Sequence, residues 1–305
     1  MSERTIRIGT RGSPLALAQA REVASRLHAT HPDLQTERSV IKTTGDRVTD
    51  RPLAEIGGKG LFCKEIEAAL LDGEIDCAVH SMKDMETHLP DGLIIAAILP
   101  REDPRDAFLS EKADGPDTLP DGAVVGTTSL RRQAQLLNRR PDLSVVTFRG
   151  NVDTRLAKLA AGDVDATILA MAGLNRLERT GVPATPLEPE VLLPAAAQGA
   201  IGIEIRTDDI AMRTTLAQLN HRPSAVCVNA ERALLAALDG TCNTPIGALA
   251  TLAEDGRLRL RGMVAMPDGS RRQDGERVIA VSDAETAALD LGDELRLALG
   301  GAFPR

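Results

Sequence analysis

The chain has no tryptophan and no tyrosine, and its only aromatic side chains are four phenylalanines, Phe62, Phe108, Phe148 and Phe303. That scarcity removes the stacking platforms on which single-stranded nucleic acids are bound. Positive charge is also in deficit. Lys and Arg number 36 against 44 Asp and Glu, a net charge of -8, which is the wrong global sign for a nucleic-acid or membrane-surface protein. Any anion must therefore be held locally. Cys63, Cys77, Cys227 and Cys242 form no C-x-x-C pair and have no histidine in metal spacing, so neither a disulfide framework nor a metal site is expected. No apolar run reaches the length needed to span a bilayer. Residues 1–6 lead into a charged strand pattern without the apolar core of an export signal, so a cytoplasmic location is expected.

What is present is an α/β pattern that occurs twice. The 305 residues, 43% of them hydrophobic, suffice for two or three domains with their own cores. A strand at Ile6 to Gly9 is followed by Ser13, an N-cap oxygen, and Pro14, a favoured first helical position, opening a helix to about Leu27. A second strand at Ala123 to Gly126 is followed by Ser129 and a helix from Leu130 to about Asn138. Both helices carry an Ala-Gln pair (Ala18 and Gln19; Ala134 and Gln135), and both precede a Pro-Asp-Leu and a β-branched run. Further on, helices from Phe62 to Leu71 and from Thr154 to Ala161 end at Gly73 and Gly162, glycines suited to the left-handed position, before strands from Ile75 and Val164.

Strands alternating with helices predict largely parallel sheets and two similar lobes built by duplication, facing a cleft. Two Pro-bearing segments, 99–104 and 193–199, cross between the lobes, and Ile201 to Ile205 reads as a strand returning to the first lobe's sheet, a pattern that permits hinge motion. Beyond His221 the texture changes to a helix at Ser224 to Leu238, alternating strands with turns at Gly256 and Gly269, and a final helix near Ala284 to Leu299. The expected division is 1–99 with 200–220, then 105–193, then a small α+β domain at 221–305.

Several arginines fall where strands end or helices begin: Arg11, Arg131 and Arg132, Arg149 with Arg155, and Arg176. Such ends bind carboxylates and phosphates in open α/β sheets, which predicts a polyanionic ligand. Aligning Asp76 with Asp165 places Met82 on Met171 and sets Lys83 and Asp84 against Ala172 and Gly173. The Lys-Asp pair is thus not needed for the fold of a lobe, and Asp84 becomes a candidate acid or base with Lys83 as its charge partner. His80 reads as a strand histidine with a satisfied hydrogen bond. The glycine-rich stretch 43–60 suits a lid. It is not a phosphate loop, because Leu53 stands where the Walker pattern needs glycine and Gly60 where it needs Ser or Thr. Cys242, in a turn after Asp239 and Gly240, is the candidate reactive thiol, whereas Cys77 fits a strand core.

The stretches Gly9 Thr10 Arg11 Gly12 Ser13 Pro14, Gly57 Gly58 Lys59 Gly60 Leu61 Phe62, Ala78 Val79 His80 Ser81 Met82 Lys83 Asp84, Gly126 Thr127 Thr128 Ser129 Leu130 Arg131 Arg132, Arg149 Gly150 Asn151 Val152 Asp153 Thr154 Arg155, and Glu231 through Cys242 span nearly the whole chain. Together they resemble the hydroxymethylbilane synthase (porphobilinogen deaminase) family. The resemblance implies two doubly wound lobes like those of type II periplasmic binding proteins, followed by a small α+β domain. It implies a transferase that condenses four porphobilinogen molecules head to tail with loss of ammonia on a dipyrromethane primer, then releases hydroxymethylbilane by hydrolysis.

By the same resemblance Cys242 anchors the dipyrromethane through a thioether, and Asp84 is the acid and base with Lys83 beside it. Lys83, Asp84, Ser129, Arg131, Arg132, Arg155 and Gly173 contact the cofactor. Arg11, Ser13, Gln19, Phe62, Arg149, Arg155, Arg176 and Gln198 contact the substrate, Lys59 belongs to the lid, and the enzyme is a monomer. Met85, Glu86, Thr241 and Asn243 depart from the family's commonest residues without removing a charge or nucleophile. The competing reading, a non-catalytic two-lobed anionic solute-binding protein, explains the lobes and arginines but not a third domain with a loop cysteine. A nucleotide-using transferase is a weaker alternative still.

Overall fold

Ser13 and Ser129 each open a helix at the carboxyl end of a strand, and each side-chain oxygen accepts from a first-turn amide, that of Ala16 at 3.3 Å and that of Arg132 at 3.4 Å. The computed structural model describes residues 5–47, 60–241 and 244–300. In chain order its elements begin β1 (Thr5–Thr10), α1 (Pro14–Thr30), β2 (Gln35–Val40), α2 (Thr44–Arg47), α3 (Lys64–Leu71), β3 (Cys77–Ser81) and β4 (Leu93–Ile98). They continue with β5 (Asp106–Leu109), β6 (Val124–Gly126), α4 (Leu130–Arg139), β7 (Ser144–Val146), α5 (Val152–Ala160), β8 (Ala166–Ala170), α6 (Met171–Arg176), β9 (Ala184–Leu187) and β10 (Ile201–Arg206). The last are α7 (Ile210–Ala217), α8 (Arg222–Ala237), β11 (Ile246–Leu252), β12 (Arg257–Ala265), β13 (Arg272–Ala280) and α9 (Ala284–Ala298).

The chain divides into two compact units, residues 1–102 with 200–225, and residues 103–199 with 226–305. The first holds a five-stranded sheet in the order β2-β1-β3-β10-β4, in which β1 is parallel to β2 and β3, and the returning β10 runs antiparallel to both its neighbours. Successive strand residues point to opposite faces. Accordingly Cys77 and Val79 pack with Ala20, Val23 and Leu27 of α1, while Ala78 packs with Ile66, Ala69 and Leu70 of α3. Helices cover both faces, so these strands are apolar throughout rather than alternating.

The second unit repeats the plan as β7-β6-β8-β5-β9, with β5 antiparallel. Phe108, Val125 and Ile168 pack with Leu136 of α4, and Ala107, Leu109 and Leu169 face Leu174 of α6 and Leu156 of α5. The same unit holds the antiparallel meander β11-β12-β13. One face of the meander closes on Leu234 of α8 and Leu291 and Leu295 of α9, and the other places Leu249 and Met263 against Ala134 of α4. Each fully buried Leu or Ile contributes roughly 1.5–3 kcal/mol. The fold is α/β, with two similar doubly wound lobes and a small C-terminal sheet domain.

The duplication extends to single atoms. Asp76 Oδ2 accepts the Arg7 amide at 2.8 Å and Asp165 Oδ2 accepts the Val124 amide at 2.7 Å, with Arg7 and Lys112 as the respective ion-pair partners. Gly73 and Gly162 adopt φ of 71° and 79°, the left-handed conformation that only glycine takes without strain. Two boundaries shift from the sequence reading. The helix expected from Phe62 begins at Lys64, because the Cys63 and Lys64 amides first close a turn on the Gly60 carbonyl. The strands expected from Ile75 and Val164 begin at Cys77 and Ala166, just past the two aspartates.

Candidate active site

The carboxyl ends of β1 and β3 converge on one pocket in the first unit. Arg11, Ser13, Gln19, Phe62, Cys63, His80, Ser81 and Asp84 line it. Asp84 closes the 3-10 turn Met82–Asp84 that follows β3. That turn is seated by buried Met82, whose amide donates to the Ala200 carbonyl at 3.0 Å. The Cys63 thiol reaches the Asp84 carbonyl at 3.8 Å and Met85 Sδ at 3.3 Å, and burial pushes that thiol far above its usual range. Cys63 is therefore a packing group here and not a nucleophile.

Arg11 stacks 4.0 Å above the Phe62 ring and forks onto Asp46, whose Oδ2 also accepts from Thr43 Oγ1 at 2.8 Å. The guanidinium beside it is the main force holding the Asp46 carboxyl below its usual range, against the opposing effect of burial. Gln19 Nε2 donates to Ser81 Oγ at 2.8 Å. His80 is buried, and its Nε2 lies 2.9 Å from Glu204 Oε2, so it has the satisfied partner the sequence suggested. Lys83 shares the Asp84 turn but is absent from the described residues that line the pocket.

The second unit gathers cations around the ends of β6 and β8. Arg131 and Arg132, only 4% and 6% exposed, both pair with Asp106, which is fully buried. Arg131 Nη1 also donates to the Leu193 carbonyl at 2.7 Å and Arg132 Nη1 to the Ile168 carbonyl at 2.8 Å. Gln198 Nε2 completes the set at 3.1 Å from Asp106 Oδ1. Arg176, on α6 with buried Gly173, donates to the Gly199 carbonyl at 2.9 Å.

Arg155 is pushed down to about 10, chiefly by burial and then by the charges of Arg132 and Arg149. Its Nε has no hydrogen-bond partner among the described residues. A guanidinium held in low dielectric beside two others calls for incoming carboxylates. A polycarboxylate such as the acetate- and propionate-bearing dipyrromethane fits that arrangement. Lys59 and Cys242 lie outside the described residues, as does most of the stretch expected to form a lid. The sequence reading missed Asp46, Glu67, Asp106 and Glu204, all of which engage groups far away in the chain.

Residues 6–214 match the family described as porphobilinogen deaminase, dipyromethane cofactor binding domain, and residues 225–297 match porphobilinogen deaminase, C-terminal domain. The chain belongs to the porphobilinogen deaminase family. The family's porphobilinogen deaminase from Paracoccus denitrificans is 58% identical over 294 residues, covering 95% of this chain and 93% of that one. The chloroplastic porphobilinogen deaminase of Oryza sativa subsp. japonica is 55% identical, covering 87% of this chain and 75% of its own. That of Pisum sativum is 50% identical, covering 98% and 83%.

Among solved structures, a putative methionine-binding lipoprotein from Bacillus subtilis superposes with a TM-score of 0.44 at 13% identity over 72% of this chain and 92% of that one. The BenM effector binding domain with benzoate also gives 0.44, at 15% identity over 72% and 91%. As a porphobilinogen deaminase family member the chain is a transferase with hydroxymethylbilane synthase activity, acting on porphobilinogen in tetrapyrrole biosynthesis and carrying a dipyrromethane cofactor. No described helix is long and apolar enough to cross a membrane.

Proposed function

We propose that the pocket of Arg11, Ser13, Gln19, Phe62 and Asp84 receives porphobilinogen and that Asp84 moves the protons of each condensation. The observation that carries this reading is that Asp84 is the carboxylate among the described residues lining a pocket that also presents Arg11, Ser13 and Gln19. Asp84 donates a proton at the aminomethyl nitrogen as ammonia departs, and its carboxylate accepts the proton released from the ring carbon that forms the new bond. Between those events it stabilises positive charge on the ring system. Lys83 is its charge partner. Arg11, already stacked on Phe62, exchanges Asp46 for a substrate carboxylate.

Arg131, Arg132, Arg149, Arg155, Ser129 and the backbone at Gly173 would hold the dipyrromethane, with Arg176 and Gln198 completing the carboxylate contacts. Cys242 is its thioether anchor. When bound, the dipyrromethane supplies the ring carbon to which the first porphobilinogen is joined. We assign the functional parts to residues 1–99 with 200–220, 105–193 and 221–305, and take the enzyme to be cytoplasmic, monomeric and without a nucleic-acid partner.

Intact-protein mass spectrometry tests this directly. The purified chain should exceed its sequence mass by one two-pyrrole adduct and gain further units with porphobilinogen, and Cys242→Ser should show neither. With no Trp or Tyr, ultraviolet absorbance beyond the weak Phe band should come largely from bound pyrrole and should vanish in that variant. A protein that carries only its polypeptide mass and gains none overturns the reading.

A further inference from the structure

Behind the wall of the first unit's pocket lie three buried titratable groups that the chemistry above leaves unused. Glu67 on α3 is 6% exposed, His80 on β3 is 5% exposed and Glu204 on β10 is 0% exposed. His80 Nε2 and Glu204 Oε2 are 2.9 Å apart, so a hydrogen lies between them. Glu204 Oε1 is buried with no hydrogen-bond partner among the described residues, leaving that carboxylate short of a donor. Burial, and after it the Glu204 charge, pushes the Glu67 carboxyl up to about 7.

Two carboxylates and one imidazole out of water cannot all carry charge comfortably. Fully ionised, the set would hold a net negative charge in low dielectric, and one further proton relieves it. His80 carries the consequence outward, because it also lines the pocket with Arg11 and Asp84. We propose that Glu67, His80 and Glu204 share a titrating proton behind the pocket wall and that its loss weakens the pocket's hold on carboxylate ligands. This rests on the reading that the pocket receives porphobilinogen.

The charged neighbours on every side have been taken into account. Lys64 and Cys63 lie on or beside α3, His80 on β3, Glu204 on β10, and Glu86 on the segment after the Asp84 turn. Asp84 and Arg11 act from the pocket, their charges reaching Cys63. Glu86, like Glu204, opposes ionisation of Glu67, whereas His80 and Lys64 favour it. With the proton in place, the trio leaves Arg11 to face the ligand unopposed. When the proton passes to solvent, an added negative charge repels the ligand's carboxylates. Binding and proton uptake are therefore linked, and affinity falls as the pH rises through the titration.

The test measures kcat and KM for porphobilinogen with the holoenzyme from about pH 6 to about pH 8.5, where the two constants separate free-enzyme from bound-state ionisations. KM of the wild type should rise roughly fivefold across that range. Glu67→Gln should hold the low-pH value throughout, with kcat following the wild-type course. Glu204→Gln should move the inflection to lower pH, since its charge is one of the forces raising Glu67.

A flat wild-type KM overturns the proposal. So does a Glu67→Gln enzyme with the wild-type curve or, if that variant does not fold, an unmoved inflection in Glu204→Gln. Asp84→Asn run in the same assay keeps the two readings apart. Its loss of turnover leaves the pocket assignment standing even where the proton proposal falls, and its full activity removes the pocket assignment itself.

Discussion

Arg132 closes on a single oxygen of Asp106, with Nε at 3.1 Å and Nη2 at 2.7 Å from Oδ1. Arg131 takes the other oxygen, its Nη1 lying 2.7 Å from Oδ2 without the alignment of a hydrogen bond, so this second contact is charge pairing. The two cations hold the Asp106 carboxyl far below its usual range despite complete burial. Asp106→Asn strands two guanidiniums in the interior and should cost about 3–5 kcal/mol, read as a lower midpoint in urea. The paired charge contributes its full stability above the ordinary carboxyl range, and that stability drains away only as the pH falls below it. Wild-type resistance to urea should therefore be insensitive to this pair between neutral pH and about pH 5.

Asp84→Asn keeps the shape of the turn and removes the proton carrier. Turnover should fall at least about a hundredfold, while the melting temperature and the pyrrole mass adduct stay as in the wild type. Near-normal activity would move the acid-base role to another group.

Gly202 on β10 faces the Asp84 turn from behind. A Cβ built there would lie 2.0 Å from Met82 Sδ, so Gly202→Ala must unseat the methionine that anchors the turn. The expected result is a loss of kcat larger than the loss of stability would explain, with Met82→Ala added to the same background restoring part of it. Unchanged kinetics in Gly202→Ala would show that the turn does not depend on this packing.

Glu67→Gln should also affect stability in a pH-dependent way. The folded-state value of about 7 lies above the ordinary 4.5, so the wild-type carboxyl favours folding fully below the lower figure and progressively less as the pH rises through the upper. Glutamine abolishes that loss. The variant should gain on the order of 2 kcal/mol relative to wild type between about pH 5 and about pH 8, as followed by denaturant titration at the two pH values. An equal difference at both would refute it.

Much of the scaffold was legible because the code for it is local. The cap oxygens of Ser13 and Ser129, the left-handed glycines at 73 and 162, and the matched aspartates at 76 and 165 each act within a few residues or within one βα repeat. The Asp84 turn was legible through the same repeat, since Lys83 and Asp84 break its pattern.

What escaped was long-range pairing of buried charge. His80 meets Glu204 across 124 positions and Arg132 meets Asp106 across 26, and nothing in the spacing of either acid marks it as interior. A single acid within an apolar strand run, as in Ile201 Gly202 Ile203 Glu204 Ile205, is the one signal that was available. Its meaning is that a charge placed among so many isoleucines must have a partner.

The placement of β10 has a consequence for biosynthesis. The sheet of β5 to β9 is contiguous in sequence and is complete once Leu187 has left the ribosome. The N-terminal sheet waits for Ile201–Arg206, which must slot between β3 and β4. Until then β4 has no neighbour and β3 exposes one edge. The part of the chain made first is thus finished last, and the nascent polypeptide carries an open strand edge through the synthesis of about a hundred further residues, an interval in which holdase chaperones have most to protect.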